Sequence, residues 1–496
     1  MSIILKNAMI MTMNENREIK EKTSLVIENK KIVAIGNYVE IQQQFSNAEV
    51  VDCQNKLIMP GLIDVHAHGG ISLFKSVVKD TNQWMSSLTH TVKNYLDDEF
   101  WRIESSLSAL NRLRYGVTTG VSLLGTQPRC DSFRFAKNQT DGYAEIGVRN
   151  FLAVGPNAGP WPHRLSIYEK GERIRKEVTY EDAITSLDTI VAKLHHANDD
   201  KTQILVAPYQ IVTSIMEGTE GDMLEKLTEE DLRNSRELRR IAKKHKARIH
   251  TDAFRGMVKL AYDDPNAFLG PDVYIQHNFG ISLDEVNILA ETKTNASFTP
   301  TFAQFRLNTP VMEMMERGIN VAITSDGESY HSNFNMFEKM LVTQQMVRSI
   351  YKDRNYLPNE KIIEMMTIDA AKCIGMEKEI GSIEIGKKAD ILVIDLNKPH
   401  LTPFFDLPHL VVREVRPSDI TQVYIDGVLL LNNGKTIHLD EQLIMSNATK
   451  KAKEVIKNAH LEKFAYPEKH FWKENKAYYE EQRYDIKWQR EDGGYY

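Results

Sequence analysis

Apolar strand-like runs alternate with helical stretches along most of the chain, from about residue 85 to residue 350. The helical "DDEFWRIESSLSALNRLRYG" precedes the strand-like "VTTGVSLL", and later strand candidates are "IGVRNFLAVGP", "QILVAPYQIV", "ARIHTDAF", "DVYIQHNF", "NASFTPTF" and "NVAITSDG". Repeated β-then-α units predict an α/β fold with a parallel sheet. Closure of that sheet into a (β/α)8 TIM barrel is the economical architecture.

The segments that flank this region have a different pattern of predicted secondary structure. Residues 1–57 and 376–440 consist of short strands and turns, including the hairpin signal "SLVIENKKIVAIG". They could pair into one small sheet domain beside a barrel of residues 58–375. Residues 441–496 form a further extension, in which "EQLIMSNATKKAKEVIKNAH" has helical spacing and the end is rich in aromatic and charged residues.

Two histidines follow the first predicted barrel strand, in "LIMPGLIDVHAHGG". In an extended strand alternate residues point to the same side, so Asp64, His66 and His68 share a face. Two imidazoles on one face can chelate one ion. A pair of polar residues that hydrogen-bond to backbone or water would produce the same pattern, so other parts of the chain must decide.

More polar residues stand at the ends of later strands. His250 lies in "ARIHTDAF", His277 in "VYIQHNFG" and Asp326 in "VAITSDG". Barrel enzymes place their working residues at the carboxyl ends of the strands. Four histidines and an aspartate at such ends favour a metal site, and imidazole with carboxylate suits zinc or, less selectively, iron.

The overall composition excludes several kinds of partner and compartment. The net charge of −6 gives no basic surface for nucleic acid, and no apolar run reaches membrane-spanning length. The three cysteines, Cys53, Cys130 and Cys373, are too far apart in sequence to suggest a ligand cluster or disulfide framework. The first residues read as a strand and not as a signal peptide. We therefore expect a cytoplasmic protein with a small-molecule substrate.

These motifs together resemble one enzyme family. The shared features are "MPGLIDVHAH", "RYGVTTG", His250, His277, "TSDG" and "GSIEIGKKADILVIDL", and the resemblance covers residues 2 to about 440. The chain resembles the amidohydrolase superfamily, and within it the branch of chlorotriazine hydrolases, S-adenosylhomocysteine deaminases and guanine deaminases.

The resemblance implies a (β/α)8 barrel with a β-sandwich assembled from both ends of the chain. It implies a metal held by His66, His68, His250 and Asp326, with His277 beside it. Some relatives bind two metals through a carboxylated lysine on the fourth strand. Here "QILVAPYQIV" offers no lysine, so one divalent transition metal is expected, zinc before iron. Asp326 would accept the proton of a metal-activated water, and His277 would polarise the substrate.

One position departs from the resembled branch. Its deaminases and triazine hydrolases usually carry a glutamate three residues after the fifth-strand histidine, where it shuttles a proton to the ring nitrogen, and this chain has Ala253 there. Asp252 shares the face of His250 by strand alternation and is the nearest substitute. It could equally orient a metal-bound imidazole. Glu328 and His331, after the eighth strand, are further candidates.

Substrate contacts are expected from the loops at the strand ends. Trp84 and Trp161 could stack on a flat heterocycle, although aromatic residues more often pack in a core. Tyr209 and Gln210 leave the fourth strand where relatives often have a histidine. Glu328 and His331 could also border the pocket.

Three functions fit these features. The first is a metal-dependent hydrolase of a non-peptide C–N bond that deaminates an amino-substituted N-heterocycle. The second is a hydrolase that uses the same metal but releases chloride from a triazine-like ring, or cleaves an amide or urea-type bond. The third is a non-catalytic metal-binding barrel. A homo-oligomer is compatible with all three.

Overall fold

The computed structural model describes residues 2–77, 81–169, 172–214, 226–301, 309–328 and 332–465. Its strands are β1 (Ile3–Met11), β2 (Ile19–Glu28), β3 (Lys31–Gly36), β4 (Glu49–Asp52), β5 (Lys56–Pro60), β6 (Leu62–Asp64), β7 (Val117–Leu123), β8 (Arg149–Val154), β9 (His163–Glu169), β10 (Glu172–Val178), β11 (Thr202–Val206), β12 (Ile249–Phe254), β13 (Val273–Phe279), β14 (Asn295–Phe298), β15 (Val321–Ile323), β16 (Ile391–Asp395), β17 (Ile420–Ile425), β18 (Val428–Asn432) and β19 (Lys435–Thr436).

The helices are α1 (Tyr38–Gln44), α2 (Thr81–Asn94), α3 (Asp98–Arg114), α4 (Phe133–Ile146), α5 (Tyr180–Leu194), α6 (Glu229–His245), α7 (Met257–Tyr262), α8 (Leu283–Thr292), α9 (Val311–Glu316), α10 (Met336–Ile350), α11 (Asn359–Met365), α12 (Ile368–Ile374), α13 (Leu407–Arg413), α14 (Glu441–Asn458) and α15 (Glu462–Ala465). Three helices begin with a reciprocal capping box, in which a hydroxyl and a carboxylate satisfy the free amides of the first turn. These boxes are Thr179–Asp182, Thr228–Asp231 and Ser282–Glu285.

Eight parallel strands form the barrel, in the order β15-β14-β13-β12-β11-β8-β7-β6. The circle closes through a parallel bridge between Ala67 and Asp326, where the Asp326 amide donates to the His66 carbonyl at 3.0 Å. Strand residues alternate between the interior and the helix layer. Ile63, Val121 and Phe151 pack together inside, while Leu62 and Leu152 pack outward. The predicted (β/α)8 barrel is confirmed.

A second sheet combines the two ends of the chain. β1 pairs with β2 antiparallel and with β4 and β5 in parallel, so the sheet branches at β1. β5 also pairs antiparallel with β16, and β17, β18 and β19 continue from there. The expected β unit built from both ends is confirmed, and its strands hydrogen-bond as one branched sheet. The predicted boundary between residues 57 and 58 falls inside β5, which ends at Pro60.

The C-terminal extension begins with the expected helix. The Nζ of buried Lys451 on α14 lies 3.2 Å from a carboxylate oxygen of Asp97 and 2.7 Å from one of Glu99, and these contacts fix α14 against the start of α3. The aromatic-rich end, residues 466–496, lies outside the described residues. Within the described ranges, no helix has the length and apolar character needed to cross a membrane.

Candidate active site

Four imidazoles converge at the carboxyl end of the barrel, as the strand-end pattern predicts. The ring of His66 lies 5.2 Å from that of His68, 5.0 Å from that of His250 and 5.4 Å from that of His277, measured between centroids. His66 is fully buried at the centre of the group. The first, fifth and sixth barrel strands therefore deliver their histidines to one point.

Two carboxylates complete this group, which we call the histidine–carboxylate cluster: His66, His68, His250, His277, Asp252 and Asp326. Asp326 Oδ1 lies 3.3 Å from the Nε2 atoms of both His66 and His68. One ligand atom each from His66, His68 and Asp326 fall within 4.8 Å of one another, and the same holds for His66, Asp252 and His277. His66 belongs to both sets.

The spacing of these atoms fits a divalent metal ion. Two donors on one zinc ion at about 2.1 Å and tetrahedral angles lie about 3.4 Å apart, close to the 3.3 Å separations observed. The Nε2 of His66 is buried and makes no hydrogen bond within the described part of the chain. The Nδ1 of His66 lies 2.7 Å from Nε2 of His250, a hydrogen-bond distance at which one of the two nitrogens donates. A cation beside Asp326 would bind the lone pair that His66 Nε2 leaves unused.

Backbone carbonyls fix the tautomers of two imidazoles. Nδ1 of His68 lies 3.1 Å from the Gly125 oxygen, and Nδ1 of His250 lies 3.4 Å from the Tyr274 oxygen. A carbonyl only accepts, so each Nδ1 carries the hydrogen and each Nε2 keeps its lone pair. The Nε2 of His250 faces His66 and that of His68 faces Asp326, so both lone pairs point into the cluster, where they could bind a cation.

The charges of the cluster are set by burial and by close pairing. Burial lowers the pKa of His250 well below its ordinary value and also lowers that of His277. Burial alone would raise the pKa of Asp326, but the His66 and His68 imidazoles beside its carboxylate hold it well below its usual range. Burial likewise opposes the charged form of His68, yet Asp326 raises its pKa to about 9. The lowered pKa values favour the neutral form of His250 and His277, and neutral imidazole with carboxylate is a donor set that zinc binds.

A β-bulge turns His277 into the cluster. On β13, Tyr274 packs in the interior and Val273 and Ile275 pack outward, so strict alternation would point His277 outward. Asn278 is an extra residue in the pairing of β13 with β12, and His277 has a φ of 69°. Such a bulge re-aims a side chain. Asp326 likewise has a φ of 64°, an uncommon backbone conformation that is often found at functional sites.

The structure places Asp252 inside the cluster and Ala253 outside it. Oδ2 of Asp252 lies 3.7 Å from Nε2 of His277, and its Oδ1 is buried without a hydrogen-bond partner among the described residues. Ala253 packs in the helix-facing core with Met257 and Val258. β12 runs to Phe254, so alternation keeps residue 253 outside the barrel. A carboxylate in this strand therefore faces the site from position 252.

The residues after β11 are buried beside Asp252. Tyr209 and Gln210 are both buried. The Gln210 side chain donates to the Val212 carbonyl at 2.7 Å, and the Ile211 amide donates to the Asp252 carbonyl at 2.8 Å. These bonds attach the segment after the fourth barrel strand to the strand that carries Asp252. A substrate contact from Tyr209 or Gln210 stays a prediction.

Of the remaining predicted contacts, Glu328 and Trp161 lie among the described residues. Glu328 is buried, and its oxygens accept hydrogen bonds from Asn111 at 3.0 Å and Lys75 at 3.2 Å. Trp161 is half-buried and stands edge-on to the His163 ring at 4.1 Å. The Trp84 side chain and residue His331 lie outside what the structure describes.

The structure corrects one expectation and adds two residues that bear on the site. Asp64 does not share the face of His66 and His68: Ile63 packs inside the barrel, and the Asp64 carboxylate faces the helix layer, where it pairs with Arg112 of α3 and accepts from Ser325. The sequence features that point to these residues are an arginine within the helix α3 and the serine directly before Asp326. Neither feature shows which side chains contact each other.

Comparison with known proteins assigns the family. A sequence model of the amidohydrolase family matches residues 57–430. The chain belongs to the amidohydrolase family. This amidohydrolase is 28% identical over 474 residues to 5-methylthioadenosine/S-adenosylhomocysteine deaminase from Thermoanaerobacter pseudethanolicus, covering 92% of this chain and all of the relative. It is 27% identical over 464 residues to 5'-deoxyadenosine deaminase from Methanosarcina mazei, covering 92% of this chain and 98% of the relative.

Solved structures share the fold of this amidohydrolase. An adenosine deaminase from Xanthomonas campestris with bound zinc superposes with a TM-score of 0.77 at 18% identity, covering 92% of this chain and 98% of that one. Atrazine chlorohydrolase from Arthrobacter aurescens, complexed with zinc, gives 0.75 at 16% identity, covering 91% of this chain and 100% of that one. The expected family, fold and enzyme class, a hydrolase of non-peptide C–N bonds, are confirmed.

Proposed function

We propose that this amidohydrolase is a metal-dependent deaminase of amino-substituted N-heterocycles, with adenine nucleosides as the first substrates to test. The observation that carries the proposal is the histidine–carboxylate cluster, which gathers four imidazoles and two carboxylates at the barrel mouth. The names of the two sequence relatives, deaminases of adenine nucleosides, support the substrate class.

His66, His68, His250 and Asp326 would hold one divalent metal ion, zinc before iron. Such an ion, when bound, makes a water molecule a nucleophile at neutral pH. The fourth barrel strand, "TQILV", has no lysine to bridge a second ion. Three imidazoles, each deprotonated when it binds a metal, and a carboxylate also match the nitrogen and oxygen ligands of catalytic zinc sites.

The remaining chemistry is proton transfer by the chain's own carboxylates. Asp326 accepts a proton from the attacking water as the new C–O bond forms, and His277 polarises the carbon under attack. Asp252 gives a proton to the ring nitrogen and recovers one from the new hydroxyl. Asp326 returns its proton to the departing amine. Water and the amino heterocycle thus become ammonia and the oxo heterocycle.

One observation favours a second candidate, the hydrolytic removal of chloride. The position where the resembled branch carries its glutamate is Ala253, which packs in the helix layer. Chloride leaves without a proton, so that reaction needs no replacement for the glutamate. Asp252 in the cluster supplies a carboxylate for the deaminase and keeps deamination as the first proposal.

Ammonia release separates the two reactions. We expect metal-loaded protein to release one ammonia for each adenine nucleoside consumed, in a panel that also contains aminopterins, aminotriazines and chlorotriazines. Protein stripped of metal and the His66→Ala variant serve as controls. Release of chloride from a chlorotriazine, without ammonia from any amino compound, would contradict the deaminase. The cytoplasmic location and a homo-oligomeric state stay predictions.

A further inference from the structure

The seam between the first and eighth barrel strands is unusually short of backbone pairing. β6 and β15 each have three residues, and among the described residues they meet through one bridge, between Ala67 and Asp326. Yet this seam carries three of the proposed metal ligands, His66 and His68 on one side and Asp326 on the other. Interactions other than backbone hydrogen bonds must therefore hold β6 and β15 in register.

The Asp64 carboxylate spans the seam. It accepts a hydrogen bond from the Ser325 amide at 2.9 Å and one from the Ser325 hydroxyl at 2.6 Å. Both residues are fully buried. Asp64 lies two residues before His66, and Ser325 directly precedes Asp326. These two bonds therefore connect the ligands of one strand to the ligand of the other.

Arg112 of α3 holds this carboxylate from the other side. Its Nη2 donates to Asp64 Oδ2 at 3.0 Å and to the Val121 carbonyl at 2.8 Å, and the guanidinium lies 4.5 Å from the Phe334 ring centroid. A Cβ at Gly120 would lie 1.7 Å from Arg112 Nη1, so a glycine is required there. An arginine and an aspartate that are both fully buried are retained at a desolvation cost.

We propose that Asp64 is a positioning residue that fixes Asp326 relative to His66 and His68, with Arg112 orienting the Asp64 carboxylate. The inference rests on the proposed function, because it assigns those three residues to one metal ion. A metal site loses affinity when the groups that orient its ligands are removed. Asp64 would thus act on metal affinity and on turnover through Asp326.

The cleanest test removes one hydroxyl on the seam and one elsewhere in the barrel. Ser325→Ala deletes the hydrogen bond of 2.6 Å to Asp64 and the one that the Ser325 hydroxyl accepts from the Gly327 amide at 3.0 Å, and it leaves the backbone bond from residue 325 in place. Ser297→Ala is the matched control, because Ser297 is fully buried on β14 and also donates at 2.6 Å, to Gln276 Oε1.

For Ser325→Ala we expect zinc affinity, measured by competition with a chelator, to fall about tenfold. We expect kcat to fall by a similar factor, KM to stay within about twofold, and the melting temperature to change no more than in the control. Ser297→Ala should keep wild-type zinc affinity and kcat. Equal zinc affinity and equal kcat in the two variants would overturn the inference.

A second variant separates positioning from stability. Asp64→Asn alone leaves Arg112 buried without its counter-charge and could fail to fold, so it is combined with Arg112→Met. The double variant should fold and bind zinc at least tenfold more weakly than wild type. Wild-type zinc affinity in it would overturn the inference. A wild-type protein that binds no divalent metal would instead overturn the proposed function, and the inference with it.

Discussion

Replacing His66 or His250 with alanine is expected to remove bound metal and activity together. His66 touches every other imidazole of the cluster, and Nε2 of His250 lies 2.7 Å from its ring. Turnover should fall by about 1,000-fold or more, because water away from a metal is barely ionised at neutral pH. Metal content by elemental analysis and ammonia release should fall in parallel. His409→Ala, on the exposed side of α13, is the control and should retain both.

Asp326→Asn should behave differently from the histidine variants. Asparagine keeps an oxygen that can bind a metal weakly, but it cannot take a proton. We therefore expect much of the metal to remain while turnover falls by about 100-fold or more. An Asp326→Asn protein with near-normal turnover would exclude Asp326 as the base.

The second large effect is expected at Asp252. Asp252→Asn keeps the size of the side chain and its hydrogen-bonding capacity but abolishes proton transfer. For a substrate that loses ammonia, kcat should fall by about 100- to 10,000-fold with metal content largely kept. For a substrate that loses chloride, the same change should matter much less. Asp264→Asn, a buried carboxylate that hydrogen-bonds Asn266 on the loop after α7, is the matched control.

A parallel loss of metal and activity in Asp252→Asn would assign Asp252 a different role. It would then orient the His277 imidazole, 3.7 Å away, and the proton would have to come from elsewhere. Glu328 is a weaker alternative, because Asn111 and Lys75 already occupy its oxygens. His331 and the substrate itself are the remaining sources.

The sequence predicts the barrel and most of the cluster for a simple reason. Parallel strands bring their carboxyl ends to one edge, so residues at strand ends meet even when they are hundreds of positions apart. The same alternation that places Asp252 beside His250 also explains why Ala253 faces the helix layer. These are local regularities, and local patterns are what a single sequence displays.

Two features could not be predicted this way. His277 reaches the cluster through a bulge at Asn278 and a left-handed backbone, against the alternation of its strand. The Asp64–Ser325–Arg112 contacts join three separate elements, and the pairing of a helix residue with a strand residue depends on how α3 packs on the barrel. The spacing of residues in the sequence predicts neither the bulge nor these contacts.

Titration of metal-free protein with zinc tests the central claim most directly. Ammonia release from an adenine nucleoside is measured at each addition of zinc. The cluster predicts no release from metal-free protein and a linear rise that ends at one equivalent per chain. A break at two equivalents would contradict the single-metal site. Full activity without metal would contradict the metal-dependent deaminase itself.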